Sequence, residues 1–394
     1  MVYNVTSSFF EKEQAEHTRV KLEILNGYVV PWMRKIILNK HGSRSCSIID
    51  TFAGAGKYSD GSIGSPIILV NEAIRFIEQA AESNFEIGKI LLTFIEKDEK
   101  NFLQLKSSLE EVVQQELIDD EIVEIEKYPS LSIGIANKTH EKFLDELTNN
   151  VEQIIPTIFF MDPFGFNLPF EINERILKKY SNVELLINFM YEEINRFITV
   201  DSVKGKMERL FGVANISTVV EQLENADSKE RSKIIKGTYK SRLQQVGAKY
   251  TLDFDIHTDR GQVKMSIIFA TKNINGFDTM KDVLDNISNS GGLEYYSQAK
   301  IDDKQIKLEA FNTDYQSQKI DEMSDYIYKI CKTKTLSVSK IIDIAKNHPT
   351  LPSKYLKRAL NILNVRGKIK EVYRINGQKV RKNTFPDDAF VKFL

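Results

Sequence analysis

The chain has 394 residues, too many for one average domain and enough for two or three. Its 42% apolar share gives an ample core, and no run of eighteen apolar residues offers a membrane span. Net charge is −1 but unevenly spread: from 329 to 394 sixteen Lys or Arg stand against four Asp or Glu, so the preceding 328 residues carry −13. A basic tail of that kind suits nucleic acid, and the plain alternative is a solvated helical face with scattered lysines.

Two cysteines, Cys46 and Cys331, can neither hold a metal alone nor build a disulfide framework. The five histidines include no H-x-x-x-H pair, so no metal is expected and a zinc hydrolase is disfavoured. The opening residues lack a basic stretch followed by an apolar one, which points to a cytoplasmic protein.

An N-terminal helical segment is expected over 1–45. Leu22, Leu25, Val29, Trp32, Met33 and Ile36 recur at three and four, and Pro31 would break or kink the run. Gln14, His17 and Lys21 lie near its start, facing either solvent or the mouth of a site. The first strand, Cys46 to Asp50, ends in an acid and runs into Thr51-Phe52-Ala53-Gly54-Ala55-Gly56-Lys57. Glycines two residues apart allow positive φ and close approach of a ligand, as at the first strand of an open α/β sheet. The dinucleotide fingerprint G-x-G-x-x-G is not met, because position 59 is Ser. The form acid-x-Phe-x-Gly-x-Gly instead resembles the first motif of class I S-adenosylmethionine (SAM) methyltransferases. A helix should follow from Pro66 to Gln79, with proline in its first turn.

The second strand, Lys89 to Ile95, ends in Glu96-Lys97-Asp98. A carboxylate there can take both hydroxyls of a ribose, and Glu96 is the choice. Asp98 caps a helix from Glu99 to Leu109. A third strand is expected over Ile122 to Tyr128. The following Lys127-Tyr128-Pro129-Ser130 offers no acid for an adenine, which leaves that contact unassigned. After a helix from His140 to Asn149, the fourth strand, Thr157 to Met161, ends in Asp162-Pro163-Phe164-Gly165. Methyltransferases that act on exocyclic amines of bases place an acid or Asn, then Pro, then an aromatic residue here. Such an amine is a poor nucleophile because its lone pair is conjugated with the ring. An oxygen that accepts its hydrogens turns the lone pair outward, proline stiffens the turn, and an aromatic face stacks on the base. A Pro-Gly turn after a buried strand is the bland alternative.

A fifth strand spans Val183 to Phe189, and 191–246 reads as a helical insertion. Strands at Lys249 to Ile256 and Lys264 to Thr271 make an antiparallel hairpin. The expected fold is thus α/β, a Rossmann-like class I methyltransferase domain over 46–305 with a mostly parallel seven-stranded sheet. A linker at 306–320 leads to a winged-helix domain over 321–394. There, helices at Ser337 to Asn347 and Ser353 to Val365 precede strands Ile369 to Arg374 and Lys379 to Thr384 around Asn376-Gly377. Lys354, Lys357, Arg358, Lys379, Arg381 and Lys382 place charge on the second helix and the wing, as a nucleic-acid-binding winged helix requires. Many winged helices bind proteins instead.

Together Asp50-Thr51-Phe52-Ala53-Gly54-Ala55-Gly56, Tyr58, Gly61, Gly64-Ser65-Pro66, Asp162-Pro163-Phe164-Gly165 and Ile187-Asn188-Phe189 resemble the three-Cys-motif partner protein family, TcmP. Lys21, Leu25, Tyr28, Trp32, Phe269-Ala270-Thr271, Gly276 and Met280-Lys281 match it as well. Ala55 stands where Pro is common, and Lys127 where an acid is common. The resemblance implies a class I methyltransferase-like fold and a genomic neighbour with a three-cysteine motif similar to radical-SAM enzymes. Two functions follow. In the first, a SAM-dependent methyltransferase acts on a nucleic-acid base, with Asp50, Phe52, Gly54, Gly56 and Glu96 on the cofactor and Asp162, Pro163 and Phe164 on the amine. In the second, a non-catalytic module delivers a three-Cys-motif protein to nucleic acid.

Overall fold

A computed structural model describes residues 15–39, 42–297, 308–375, 378, 380–381 and 383–394. The chain divides into two compact units, Met1–Asn273 and Ile274–Leu394.

The first unit begins with α1 (Glu16–Ile37), a single helix that runs through Pro31. Proline removes one backbone hydrogen bond and costs about 3 kcal/mol in a helix interior. Burial of Tyr28, Val29, Trp32 and Met33 on either side of it outweighs that cost, since each large apolar side chain contributes about 1.5–3 kcal/mol. Next come β1 (Cys46–Asp50), α2 (Ser65–Glu82), β2 (Ile90–Ile95), α3 (Glu99–Val113), β3 (Ile122–Ile125), β4 (Tyr128–Ala136), α4 (His140–Asn150), β5 (Thr157–Met161), α5 (Phe170–Lys179) and β6 (Val183–Phe189). The insertion 191–246 is helical as expected, with α6 (Tyr191–Phe197), α7 (Lys204–Phe211), α8 (Ser217–Leu223) and α9 (Ser228–Gln245). The hairpin β7 (Tyr250–His257) and β8 (Val263–Thr271) closes the unit.

The strands lie in the order β3-β4-β2-β1-β5-β6-β8-β7. From β4 to β6 the neighbours are parallel, while β8 is antiparallel to both β6 and β7. This is the expected α/β architecture, with one correction. The stretch read as a third strand is two strands: β3 forms an antiparallel edge beside β4, and β4 is the parallel neighbour of β2. Pro129, Ser132 and Gly134 hide β4 in the sequence. Leu131, Ile133 and Ile135 are nevertheless buried, and a side chain at Gly134 would stand 3.5 Å from Ile122.

In the second unit lie α10 (Ile274–Ile287), the short β9 (Glu294–Tyr295), α11 (Leu308–Cys331), β10 (Thr335–Ser337), α12 (Val338–Lys346), α13 (Leu356–Val365), β11 (Ile369–Arg374) and β12 (Ala389–Phe393). A three-stranded antiparallel sheet, β10-β12-β11, packs with the helices around Met323, Ile327, Ile341, Leu356, Leu360, Val391 and Phe393. Three expectations change. Most of the anticipated linker 306–320 is helix α11. The boundary falls at 273, because α10 is tied to the C-terminal elements: Lys281, fully buried, donates to the carbonyls of Lys346, His348 and Leu351 at 2.9 Å each. And β11 pairs with β12, not with Lys379 to Thr384, whose described residues form no strand. Ala389, Val391 and Phe393 alternate and are buried, whereas the charged run has no such alternation and offers Val380 as its one apolar side chain. Asn376, Gly377, Lys379 and Lys382 lie outside the described residues.

Candidate functional site

Parallel pairing of β4, β2, β1 and β5 brings their carboxyl ends to one edge of the sheet, where open α/β sheets bind ligands. Asp50, at the end of β1, is 0% exposed. One of its oxygens accepts the Ser65 hydroxyl at 2.6 Å and the other the Phe52 backbone N–H at 3.1 Å. Burial pushes its carboxyl up to about 7, with the Asp162 charge adding to the rise. Asp50 therefore shapes the loop from within. Gly54 and Gly56 take φ of 64° and 77°, the left-handed region that side chains resist. The loop then doubles back: Gly64 N–H donates to the Gly56 carbonyl at 2.8 Å, and a Cβ at Gly64 would press within 3.1 Å of that oxygen.

Glu96, at the end of β2, ties the loop to the sheet. Its oxygens accept Gly54 N–H at 2.9 Å and Asp98 N–H at 2.8 Å, and burial raises its carboxyl. A carboxylate has about four acceptor positions, so each oxygen keeps one for a ligand. Asp98 caps α3 through Asn101 N–H at 3.0 Å, as expected. Lys127 and Tyr128 sit at the start of β4, at the opposite edge of the sheet. The residue that follows β4 is Asn137, whose amide donates to the Glu96 carbonyl at 2.9 Å. The sequence reading missed Asn137 because it missed β4.

Asp162, at the end of β5, is held on both sides. One oxygen accepts Asn188 Nδ2 at 2.6 Å, and the other accepts Lys21 Nζ from α1. Its charge also raises the hydroxyl of Tyr58, which burial raises most. Asp50, Tyr58, Lys21 and Asp162 thus form one cluster. Pro163 is buried, and Phe164 is half-buried. Gly165 has φ 66°, and a side chain there would meet Glu193 at 3.0 Å. Phe52 is half-buried and lies against the ring of His140, centroids 4.5 Å apart. Burial pushes the His140 imidazole down to about 4, so it is neutral at pH 7.

The second unit's basic residues divide. Lys354 is engaged inside the unit by Asp282 at 2.8 Å, Asp285 at 2.7 Å and Asn286 at 2.7 Å. Lys357 pairs with Asp387 at 3.2 Å, and Arg358 donates to Gln316 at 3.4 Å, both exposed. Arg381 is exposed. Among the described residues no group of three His, Cys, Asp or Glu is placed to hold a metal, and no helix is long and apolar enough to cross a membrane.

No family model matches the chain, and no curated protein matches it. Solved structures do. Protein LPL1258 from Legionella pneumophila str. Philadelphia 1 is 10% identical, with 66% of this chain and 86% of that chain covered and a TM-score of 0.35. Trm1 from Pyrococcus horikoshii, in complex with S-adenosyl-L-methionine, is 13% identical, with 68% of this chain and 58% of that chain covered and a TM-score of 0.35. An O-methyltransferase from Bacillus cereus, in complex with SAH, is 14% identical, with 66% and 82% covered and a TM-score of 0.32. At such scores these likenesses place no residue and assign no activity.

Proposed function

We propose that the chain is a SAM-dependent methyltransferase that modifies an exocyclic amine of a nucleic-acid base. The observation that carries this is the meeting, at one sheet edge, of a glycine loop locked to Glu96 and the Asp162-Pro163-Phe164 turn. The donor set fits the cofactor. Glu96 keeps free acceptor positions for ribose hydroxyls, the positive φ of Gly54 and Gly56 shapes the turn of the loop, with Gly56 packed toward Leu105 of α3, and Asn137 stands where an adenine would lie. Bound SAM supplies a methyl group on a positively charged sulfur. Asp162 accepts a hydrogen of the amine, which turns the lone pair out of the ring system, while Phe164 offers a face to the base.

The finer resemblance to TcmP, and with it a three-Cys-motif partner in a shared cytoplasmic setting, rests on the sequence motifs alone. The order of helix, strand, two helices and two strands in the second unit is compatible with the winged-helix reading, and that reading is what favours nucleic acid as the substrate.

Asp162→Ala tests the reading. The variant should bind S-adenosylhomocysteine within about 3-fold of the unaltered protein, yet lose methyl transfer from tritiated SAM by about 10²–10⁴-fold, the range of a positioned proton acceptor. Equal transfer by both proteins would overturn the role of Asp162, and no binding of SAM or its product by either would overturn the cofactor.

A further inference from the structure

Lys21 is the least expected member of the cluster. It lies on α1, far in sequence from the motif it touches, and is 6% exposed. Lysine is almost never fully buried unless paired, and here the pairing is with Asp162, whose side chain stays 23% exposed. The cation is thus set in the wall and the anion at the opening. His17 lies one turn earlier on the same face of α1. Burial first, then Lys264 and Lys21, hold its imidazole below the ordinary range, so it adds no positive charge at neutral pH. Lys264, which faces it from β8, is itself paired with Glu192. Asn188, from β6, fixes the other oxygen of Asp162.

Each Asp162 oxygen has received one donor and retains an acceptor position. An ammonium carries three donors, and its bond to Asp162 takes one. An acceptor and a donor therefore stand side by side. An amine on a heteroaromatic ring shows the complementary pattern, since its N–H lies next to a ring nitrogen or carbonyl that accepts. An alkylammonium group shows only donors and brings a like charge against Lys21.

We propose that Lys21 is a specificity-determining residue: it donates to the ring acceptor beside the amine that Asp162 holds, so the site takes neutral heteroaromatic amines and rejects alkylammonium groups. This rests on the methyltransferase reading and adds to it a second contact, supplied by the N-terminal helix.

The test uses the full chain with Lys21→Met and Lys21→Arg. The probes are tritiated SAM with an unmodified tRNA pool, a single-stranded DNA oligonucleotide of all four bases, and polylysine. S-adenosylhomocysteine binding should stay within about 3-fold in both variants. Lys21→Met should lower kcat/KM on the polynucleotide by about 10- to 100-fold, the size of one lost directed contact to a base, and Lys21→Arg should recover most of it. Polylysine should accept no methyl group from the unaltered protein. If transfer occurs and Lys21→Met is kinetically silent, or if polylysine is methylated, the proposal alone fails. If the unaltered protein binds no S-adenosylhomocysteine, or binds it and modifies neither polynucleotide, the underlying reading fails and takes the proposal with it.

Discussion

Asp50 and Glu184 are buried carboxyls whose environment pushes each up to about 7, in both cases chiefly by burial. In the folded chain both keep a proton that they have lost, between about pH 4 and pH 7, in the unfolded one. The folded state then binds more protons, so their contribution to stability is fully present below pH 4, falls as pH rises to 7, and is flat above it. A shift of about three units on one such group corresponds to about 4 kcal/mol. Asp50→Asn removes the proton from this balance while keeping an oxygen for Ser65 or Phe52. Urea midpoints of the unaltered protein should drop between pH 5 and pH 7.5, and those of Asp50→Asn should drop less. An equal drop in both proteins would mean that Asp50 titrates as an ordinary carboxyl. The residue types at this position were legible in the sequence. Its direction was not: an acid after a strand reads as a ligand contact, and only burial shows that it faces the Ser65 hydroxyl beneath the loop.

At the scale of elements, α1 is anchored through polar contacts that no apolar periodicity reveals. The Tyr28 hydroxyl donates to Glu184 on β6, and Thr271 on β8 donates to its other oxygen at 2.9 Å. The Tyr28 ring meets Phe269 edge-on, centroids 5.1 Å apart. Tyr28→Phe keeps the ring and leaves a buried carboxyl short of a donor, which costs about 1–3 kcal/mol. A loss in that range by urea denaturation is expected, and a midpoint equal to that of the unaltered protein would show that packing alone seats α1. Lys21 shares this helix, so its seating also sets the Asp162 contact. The same limit explains which strands could be read. Short apolar runs such as Ile48-Ile49 and Ile158-Phe159-Phe160-Met161 announce buried parallel strands. β4 carries Pro129 at its open end and Gly134 against Ile122, and these choices make sense only when the neighbouring strand is known. With β4 unseen, Asn137 was unseen, and the adenine contact stayed unassigned.

For the whole molecule, the boundary at 273 changes the electrostatic argument. Counted over 274–394, the second unit carries twenty-one Lys or Arg against fifteen Asp or Glu, a net of +6, half that of the tail counted from 329. Part of the basic charge is thus spent within the unit. Asp285 accepts from Lys319, Lys354 and the Tyr355 hydroxyl, each at 2.7 Å, and these partners hold its carboxyl below the ordinary range against the effect of burial. Lys354 belongs to that network, whereas the exposed Lys357 and Arg358 are screened from phosphate only by weak surface contacts, worth about 0–1 kcal/mol. The two kinds of lysine should behave differently. For binding to single-stranded nucleic acid, log Kobs falls with log salt by about 0.7 per phosphate neutralised. Joint replacement of Lys357 and Arg358 by Ala should reduce that slope by about 1.4 and leave thermal stability within about 0.5 kcal/mol. Lys354→Ala should instead lower stability, because Asp285 loses one of its three partners and Asp282 loses its ion pair with Lys354, with a smaller change in slope. Fluorescence anisotropy over a salt series, with melting curves of the same samples, reads both quantities. A slope that ignores Lys357 and Arg358 but follows Lys354 would place the nucleic-acid face on the α10 side of the second unit and would overturn its assignment to α13 and the segment that follows β11.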